Sequence, residues 1–412
     1  MSSSMSSTQV AIIGAGPAGL VLSHLLDRAG IDSVILEDRS RAYVEQRVRA
    51  GVMEQGTVDL MVELGLADRL RREGLVHHGI WLSSEGERHR IALSDLTGGR
   101  TITVYGQQEL VKDLIAARLA AGRPIEFEVA EVSLHDLDTK RPMVRYQRGG
   151  VVCELACDYV AGCDGYHGVA RPTVPEGVLR VWQRDYPFAW LGILAAVAPS
   201  TDELIYARHE RGFALHSLRS PEISRLYIQV DPGDSLAAWP DERIWEELDR
   251  RLAAPGWTLR QGPVLEKGIA LHRGFVVEPM QYGRLFLAGD AAHIVPPTGA
   301  KGLNLAVADV RALAQGLTEF YRTGDARLLD EYTARCLRRV WRVQEFSAWM
   351  SLLLHRIPDA DPFQDRVMRA SLDWVVRSEA AARSLAENYV GLPFDWGQVG
   401  GGAATLPRGQ ER

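Results

Sequence analysis

The sequence is poor in cysteine: its 412 residues contain only Cys153, Cys157, Cys163 and Cys336. Four cysteines are too few for a disulfide framework at this length, so a reducing, cytoplasmic environment is the better expectation. The first two have CxxxC spacing with no second pair of ligands nearby, which argues against zinc, and we expect no bound metal.

Positive charge is also scarce, since 47 Lys and Arg face 53 Asp and Glu, for a formal net charge of −6. A nucleic-acid-binding protein needs a basic surface, and this composition argues against one. The remaining composition, 46% hydrophobic and 24% charged, is that of an ordinary globular chain. At roughly 150 residues per domain, the length predicts two or three domains.

The first 26 residues contain no Asp, Glu, Lys or Arg. A secretory signal peptide would need a basic start, and the glycines and proline between Gly14 and Gly19 do not suit a membrane span. We therefore expect neither a signal peptide nor a membrane partner. The charge-free start instead predicts a buried strand and a helix packed on it.

The N-terminal segment has the pattern of a βαβ unit. An apolar run leads into Gly14-Ala-Gly-Pro-Ala-Gly19, a helical pattern follows as far as Gly30, and a second apolar run ends at Glu37. In a GxGxxG turn the glycines let the backbone approach a pyrophosphate, the helix N-terminus offers N–H groups, and the acid binds a ribose hydroxyl. The combination predicts dinucleotide binding, although Glu37 could also be a solvated strand-end carboxylate.

Two later segments repeat the pattern of an apolar strand that ends in an acid. One runs into Asp164-Gly165, and the other runs into Asp290, with Pro296-Pro-Thr-Gly and a helix near Asn304 following it. Each aspartate alone could be a structural turn residue. Between the two segments, alternating strand patterns and the turn Asp231-Pro-Gly-Asp predict a mixed α+β region that covers a ligand. Helical patterns dominate beyond about Asp325.

Together these motifs resemble the class A flavoprotein aromatic monooxygenases, from about residue 9 to residue 394. Gly14–Gly19 is similar to the family's ADP-binding fingerprint, Asp164-Gly165 to its DG motif, and Gly289-Asp290 with Pro296-Pro-Thr-Gly to its second FAD motif. Longer stretches are more informative and resemble members that act on 4-hydroxybenzoate. They are Arg47-Val-Arg-Ala-Gly-Val-Met-Glu-Gln, Tyr105-Gly-Gln-Gln-Glu-Leu, Glu203-Leu-Ile-Tyr206, Arg211-Gly-Phe-Ala-Leu-His-Ser217-Leu-Arg219 and Glu387-Asn-Tyr-Val-Gly-Leu-Pro393.

The resemblance implies an α/β plus α+β fold, in which a Rossmann-like FAD-binding domain carries an inserted mixed-sheet substrate domain and a helical C-terminal region. We expect the FAD-binding domain at 8–185, with a small excursion near 76–100, and at 270–325. The substrate domain is expected at 186–269, the helical region at 326–396 and a disordered tail at 397–412. The resemblance also implies a homodimer.

The implied reaction is hydroxylation of 4-hydroxybenzoate at C3 to 3,4-dihydroxybenzoate (protocatechuate), with NAD(P)H and O₂, through a flavin C4a-hydroperoxide. The phenol must lose its proton, and the residues that match the family's proton relay are Tyr206, Tyr389 and His77, with His78 as an alternative end of the relay. On spacing alone, Tyr206 could be an ordinary core tyrosine.

The substrate carboxylate needs a cation and hydroxyl donors. Arg219 would supply a planar two-donor fork, although in Leu218-Arg-Ser-Pro it could equally be a surface arginine. The residues that match the substrate site are Ser217, Arg219, Tyr227, Tyr206 and Pro297, the last through its backbone carbonyl.

The residues that match the family's FAD site are Gly14, Gly16, Ala18, Gly19, Glu37, Arg47, Arg49, Gln107, Asp164, Arg225, Asp290, Leu303 and Asn304. A helix that begins near Gly302 would turn the positive end of its dipole toward the flavin N1 and C2 carbonyl region, which favours reduced flavin. Leu303 and Asn304 are expected at the isoalloxazine edge.

No second dinucleotide fingerprint is present, so NADH or NADPH is expected to bind transiently in a shared cleft. The residues that match this function are His167, Arg273, Asp38 and Tyr43. Members that prefer NADPH carry a basic residue directly after the glutamate, whereas this chain has Asp38. Adjacent carboxylates repel a 2′-phosphate, so we expect NADH to be accepted at least as well as NADPH; alternatively, Asp38 only caps the following turn.

His216 is a further departure from the pattern, because a member of the family carries a small residue there. On an extended segment its side chain would point away from Ser217, so we expect little effect. The alternatives that remain open are a hydroxylase of another substituted benzoate, a non-oxygenating FAD-dependent dehydrogenase and a non-catalytic FAD-binding protein.

Overall fold

The computed structural model describes residues 4–49, 51–358 and 361–395, and the predicted tail at 397–412 lies outside them. The strands are β1 Ser4–Ser7, β2 Val10–Ile13, β3 Ser33–Leu36, β4 Val52–Glu54, β5 Leu75–His77, β6 Ile80–Ser84, β7 Glu87–Ile91, β8 Ile102–Val104, β9 Ile125–Glu126, β10 Ala130–His135, β11 Met143–Arg148, β12 Val151–Ala156, β13 Tyr159–Gly162, β14 Arg180–Ala195, β15 Ile205–Arg208, β16 Ala214–Ser220, β17 Ile223–Val230, β18 Val264–Glu278, β19 Gln281–Tyr282, β20 Leu285–Leu287 and β21 His293–Ile294.

The helices are distributed along the chain and dominate its C-terminal part. They are α1 Pro17–Arg28, α2 Arg41–Gln46, α3 Gln55–Glu63, α4 Asp68–Glu73, α5 Leu93–Leu96, α6 Gln107–Ala120, α7 Asp241–Arg251, α8 Gly302–Thr323, α9 Arg327–Asp330, α10 Tyr332–Leu354, α11 Pro362–Arg377 and α12 Glu379–Val390. The helical pattern that the sequence predicts after the first glycine turn is α1, which starts at Pro17 because proline suits the first helical turn.

The predicted βαβ unit is confirmed. β2 pairs with β3 in parallel, and α1 packs on them through its buried apolar face. The sheet has the order β19-β20-β13-β2-β3-β9, in which β20, β13, β2, β3 and β9 run parallel and β19 is antiparallel. Of the three acid-terminated strands, β20 and β13 are neighbours, and β2 lies between β13 and β3. Because these strands are parallel, their carboxyl ends lie at one edge of the sheet, where such folds bind ligands.

A second, mixed sheet has the order β21-β18-β14-β17-β16-β15-β6-β7. β14 and β18 are long antiparallel strands, and the predicted domain boundaries at 185/186 and 269/270 fall inside them. Residues 80–91, within the predicted excursion, join this sheet because β6 pairs with β15. The division into domains stays a prediction.

Three apolar cores support the two sheets. One surrounds the parallel sheet, one lies between the mixed sheet and the C-terminal helices, and one lies between the opposite face and α7. Smaller sheets, β1-β12-β11-β10 and β4-β8-β5, complete the structure. Within the described ranges, no helix is long and apolar enough to cross a membrane.

Candidate active site

The glycine turn after β2 is closed so tightly that side chains are excluded. Gly14 has a φ of +103°, and a Cβ on it would lie 2.5 Å from the Cys163 carbonyl oxygen; one on Gly19 would lie 2.1 Å from the Gly14 carbonyl oxygen. A Cβ on Gly16 would meet no protein atom within 4 Å. The turn is therefore packed on its protein side and open beside Gly16, where the N–H groups of Ala18 and Gly19 begin α1.

Three carboxylates surround this turn in environments that disfavour their charge. Glu37 is 8% exposed and accepts hydrogen bonds from the Ala15 N–H at 2.7 Å and the Arg39 N–H at 2.9 Å. Burial, and then the neighbouring Asp38, raise the pKa of Glu37 to about 7. It is thus not the solvated carboxylate of the alternative interpretation.

Asp164 and Asp290 complete the set of carboxylates. Asp164 Oδ2 accepts a bond from the Ala170 N–H at 2.7 Å, while its buried Oδ1 has no partner within the described structure. Asp290 is accessible from a cleft but lies deep in the molecule, and desolvation raises the pKa of both groups. The charge of His293, and then those of Arg49 and Arg47, partly offset that effect at Asp290, so these two arginines lie at the same cleft.

The N-terminus of α8 faces the side of the cleft that lies next to the mixed sheet. Leu305 is the first residue to bond back into the helix, through its N–H to the Lys301 carbonyl at 2.9 Å, which leaves the preceding N–H groups free for a ligand. The Asn304 side chain does not share this role. Its Oδ1 accepts from the Glu54 N–H and Thr57 Oγ1, and its Nδ2 donates to the Val52 and Ala300 carbonyls.

The contact of Asn304 with the flavin stays a prediction, and its backbone N–H is the group left to make it, since the side-chain amide is occupied. Its amide is 3% exposed and fully used in fastening β4 and α3 to α8, because a buried amide must satisfy its donors and acceptor within the protein. Leu303 remains at the first turn of α8, and Gln107 begins α6.

Four strands of the mixed sheet bring the predicted substrate residues onto one face. Tyr206 pairs with Leu215, which pairs with Tyr227, which pairs with Gly192, and paired residues share a face. One step along, Ser217 pairs with Arg225, and Tyr227 accepts a hydrogen bond from Arg225 Nε at 3.2 Å. The predicted orientation of His216 is confirmed, because it lies on the opposite face and accepts a bond from the Ser200 N–H at 3.1 Å.

Tyr206 and Tyr389, which are predicted to form the relay, meet although they lie 183 residues apart in the chain. Their hydroxyl oxygens lie 2.6 Å apart, and each side chain is 1% exposed. Burial raises the pKa of both phenols, so both are neutral at physiological pH. A pair of neutral hydroxyls can pass a proton from one to the other without forming a buried charge at rest.

Arg219 lies between the mixed sheet and the dinucleotide cleft, which contradicts its interpretation as a surface arginine. Its Nη1 donates to the Arg49 carbonyl at 2.9 Å, and its Nη2 donates to Gln108 Oε1. Burial, and then the charge of Arg225, lower the pKa of Arg219. Its Nε and the Ser217 hydroxyl, whose contact to the Leu218 carbonyl is long at 3.4 Å, remain available to a carboxylate.

Burial distinguishes the two adjacent histidines. His77 is 1% exposed and neither ring nitrogen has a partner among the described residues, whereas His78 is exposed. Burial lowers the pKa of His77 to about 4, against the smaller effect of Glu203. His77 is therefore a neutral base with a free nitrogen. In the small sheet it flanks Ile102 opposite Glu54.

Two ion pairs near these residues, one buried and one at the surface, were missed in the sequence. Lys301, 2% exposed, donates to Glu54 Oε1 at 2.6 Å and to the Tyr389 carbonyl at 2.9 Å. Arg90 holds Glu203 through two bonds of 2.7 Å each. No local pattern marks such pairs, because their partners lie far apart in the chain; the only signal is the lysine within the Pro296–Gly302 motif.

Pro297 lies in the 3₁₀ turn Pro297–Gly299 and is exposed, but its carbonyl already accepts the Ala300 N–H at 2.9 Å. A substrate hydroxyl would have to use the second lone pair of this oxygen, or one freed by a change in the turn.

The predicted nicotinamide residues lie in two places. His167 and Arg273 both contact Tyr166, the first edge-on at 5.0 Å between ring centres and the second through a 2.9 Å bond to the phenol. Asp38 and Tyr43 lie beside Arg39, near the end of β3. Ser40, and not Asp38, caps α2, since its hydroxyl accepts the Tyr43 N–H at 3.2 Å.

Comparison with known proteins identifies the family of the chain. Residues 7–347 match a family described as FAD binding domain. The chain is 49% identical to the p-hydroxybenzoate hydroxylase of Acinetobacter baylyi, over 94% of this chain and 96% of that one. It is 28% identical to a 6-methylpretetramide 4-monooxygenase of Streptomyces rimosus, over 86% of each. The crystal structure of p-nitrophenol 4-monooxygenase PnpA from Pseudomonas putida DLL-E4 superposes with a TM-score of 0.81 at 20% identity, over 94% of this chain and all of that one, and so shares the fold.

Proposed function

The chain belongs to the FAD binding domain family of flavoprotein monooxygenases, and we propose that it hydroxylates 4-hydroxybenzoate at C3 to 3,4-dihydroxybenzoate, with NAD(P)H and O₂ as co-substrates. One contact carries the proposal. Arg219, on the face that bears Ser217, Tyr227 and Tyr206, donates to the Arg49 carbonyl at the dinucleotide cleft. An anionic substrate bound there would lie beside the cofactor.

The residues of the cleft fit FAD. Two glycine positions leave no room for a Cβ, a buried Asp164 oxygen lacks a donor, and two helix N-termini offer free N–H groups. Glu37 would hold a ribose hydroxyl, Asp290, Arg49 and Gln107 the ribitol and pyrophosphate, and α8 the flavin edge. The chemistry supplied by bound FAD is acceptance of a hydride from nicotinamide and activation of O₂.

The protein's own contribution begins with the orientation of the substrate. Ser217, Tyr227 and the unpaired Nε of Arg219 would hold the carboxylate, since a guanidinium and hydroxyls provide charge-assisted hydrogen bonds. The other end of the ring would then extend along the face of the mixed sheet toward Tyr206. Tyr206 pairs with Leu215, in the row of paired residues next to the row that contains Ser217 and Arg225. The apolar core around this face excludes water from the ring.

The phenol of the substrate must be deprotonated to make the ring a better nucleophile. We infer that its proton passes to Tyr206, then to Tyr389 across their 2.6 Å contact, and finally to His77, whose free nitrogen can accept it. Lys301 ties the Tyr389 carbonyl to Glu54, and Glu54 and His77 flank Ile102 in the small sheet, so the end of α12 is attached to the same small sheet as His77.

The nicotinamide nucleotide would use His167, Arg273, Asp38 and Tyr43, and we propose NADH as at least an equal partner to NADPH. A homodimer and a cytoplasmic location also belong to this proposal. Support for the substrate comes from the relative that is 49% identical over almost the whole chain.

The test is product identification with purified holoenzyme, 4-hydroxybenzoate, NADH and O₂. The proposal requires that 3,4-dihydroxybenzoate be formed in an amount equal to the NADH oxidised. It also requires that 4-hydroxybenzoate stimulate the oxidation of NADH. Conversion of a 3-hydroxy or amino benzoate in preference would show a different hydroxylase. NADH oxidation without substrate-dependent oxygen uptake would show a dehydrogenase, and failure to retain FAD would reject the proposal altogether.

A further inference from the structure

The turn that carries Asp290 is held from behind by a buried aspartate of α8. Asp309 Oδ2 accepts hydrogen bonds from the Gly289 N–H at 3.0 Å and from His293 Nε2 at 2.5 Å. Gly289 and His293 stand on either side of Asp290 in the chain. One carboxylate oxygen therefore holds the turn at both of its ends.

This contact is closed to solvent, since His293 is 2% and Asp309 is 1% exposed. Burial alone would lower the pKa of His293, but the charge of Asp309 and its hydrogen bond together raise it, which favours the imidazolium. Removal of one partner of such a buried pair leaves the other charge uncompensated.

The fold itself does not require an imidazole at this position. β21 pairs with β18 through backbone groups, with His293 opposite Val276, and this pairing does not use the imidazole. The turn also packs against α8, since a Cβ on Gly289 would lie 3.1 Å from the Ala306 Cβ. The side chain of His293 therefore adds a specific bond between the Asp290 turn and the helix whose first residues face the same cleft.

We propose that His293 is a positioning residue for FAD: its bond to Asp309 fixes the Gly289–Ala291 turn on α8, so that Asp290 and the start of α8 face the cofactor in one fixed arrangement. The inference rests on the proposed function, because it requires FAD in this cleft. His293 acts through Asp290 and does not itself touch the cofactor.

A double-mutant cycle on the FAD affinity of the apoprotein tests this. His293→Leu should raise the FAD dissociation constant roughly ten- to a hundred-fold, the range for a lost hydrogen bond to a charged group. Asp290→Asn should raise it as well. The double variant should have an FAD dissociation constant no higher than that of the single variant with the lower affinity, because both changes remove the same contact. Additive effects, or an unchanged dissociation constant for His293→Leu, would overturn the inference.

Further variants separate positioning from a loss of stability. His293→Asn keeps a donor and should recover part of the affinity, and Asp309→Asn should mimic His293→Leu if the latter does not fold. His216→Leu is the matched control, since it removes an equally buried imidazole on the far side of the mixed sheet. It should lower Tm without reducing the increase in Tm that FAD produces, whereas His293→Leu should reduce that increase. If wild-type apoprotein binds no FAD, the proposed function fails; if it does and His293→Leu binds equally well, only this inference fails.

Discussion

The dinucleotide cleft and the substrate face are built in opposite ways. The cleft presents unsatisfied groups: a buried Asp164 oxygen without a donor, free N–H groups at α1 and α8, and an accessible Asp290 with a raised pKa. On the substrate face, Tyr206 bonds to Tyr389 and Arg219 bonds to Gln108 and Arg49, so fewer groups are left for a ligand; Arg225 Nη1 is the buried group there without a partner among the described residues. The first region is arranged for a tightly held cofactor, and the second for a ligand that comes and goes.

This difference teaches how each region tolerates change. Backbone geometry forms the cleft, so substitutions there should act on cofactor retention and on folding. Side chains from distant strands form the substrate face, so substitutions there should leave the fold and FAD intact and alter chemistry or affinity.

The largest expected effect is that of Gly19→Ala. A Cβ at this position would overlap the Gly14 carbonyl oxygen at 2.1 Å, so α1 must move away from β2 and the pyrophosphate site is lost. We expect protein without bound FAD and without activity, as measured by the flavin absorbance ratio and by Tm. Gly268→Ala, where a Cβ meets no atom, is the control, and normal flavin content in Gly19→Ala would contradict the backbone account of the cleft.

Tyr206→Phe should act on chemistry alone. Loss of one relay hydroxyl should lower the rate of 3,4-dihydroxybenzoate formation by at least about a hundred-fold, the usual contribution of a proton-transfer group. FAD content and substrate affinity should stay close to wild type, and uncoupled NADH oxidation should release hydrogen peroxide. Tyr389→Phe should behave alike, and Tyr146→Phe, at a buried tyrosine of β11 in the small sheet β1-β12-β11-β10, should not. Product formation at the wild-type rate would remove Tyr206 from the relay.

Arg219→Lys should weaken substrate binding with little effect on FAD. Lysine keeps the charge but cannot donate in a plane to a carboxylate, Gln108 and Arg49 together. The expected loss is about 1.5–3 kcal/mol, or roughly ten- to a hundred-fold in the dissociation constant of 4-hydroxybenzoate. Arg211→Lys serves as the control, because Arg211 pairs with Glu247 outside the site. Equal affinity in both variants would contradict the carboxylate role.

Acid should destabilise the protein through the buried His77 of the small sheet. Its pKa is about 4 when folded against 6.5 for an exposed histidine, so the unfolded state binds the extra proton first. Stability is therefore lost as pH falls from about 6.5 toward 4, with about 2 kcal/mol lost at pH 5 from this group. His77→Asn should show a shallower decrease of unfolding free energy between pH 7.5 and 5 in denaturant titrations. His78→Asn, at the exposed neighbour, should follow the wild type, and identical slopes for all three proteins would refute this account.

The smallest effect concerns the choice of nucleotide. Asp38 lies next to Glu37 and pairs with exposed Arg39 at 3.5 Å, so the local carboxylates should disfavour a 2′-phosphate. We expect kcat/KM for NADH at least equal to that for NADPH at saturating 4-hydroxybenzoate, and Asp38→Arg should shift the ratio toward NADPH. A preference for NADPH of more than ten-fold in the wild type would contradict the prediction. Ser40→Ala is the control, since it removes the cap of α2 and no charge.

Much of the cofactor cleft could be predicted from the sequence. The βαβ unit, the strands that end in Glu37, Asp164 and Asp290, and the helix after Pro296-Pro-Thr-Gly all depend on interactions between residues close in the chain. Such turns and caps leave a local pattern of glycines, prolines and acids, and the residues of that pattern meet at one sheet edge because parallel strands end together.

Only the tertiary structure decided how the remaining polar groups are satisfied. It placed Tyr389 against Tyr206, committed the Asn304 amide to β4 and α3, buried His77 rather than His78, and assigned the cap of α2 to Ser40. It also paired Lys301 with Glu54 and His293 with Asp309. These outcomes depend on which partner lies within hydrogen-bond distance once the strands are paired and water is excluded. A buried polar group must take the partner that packing offers, and residues tens to hundreds of positions away leave no trace of that choice in the local sequence.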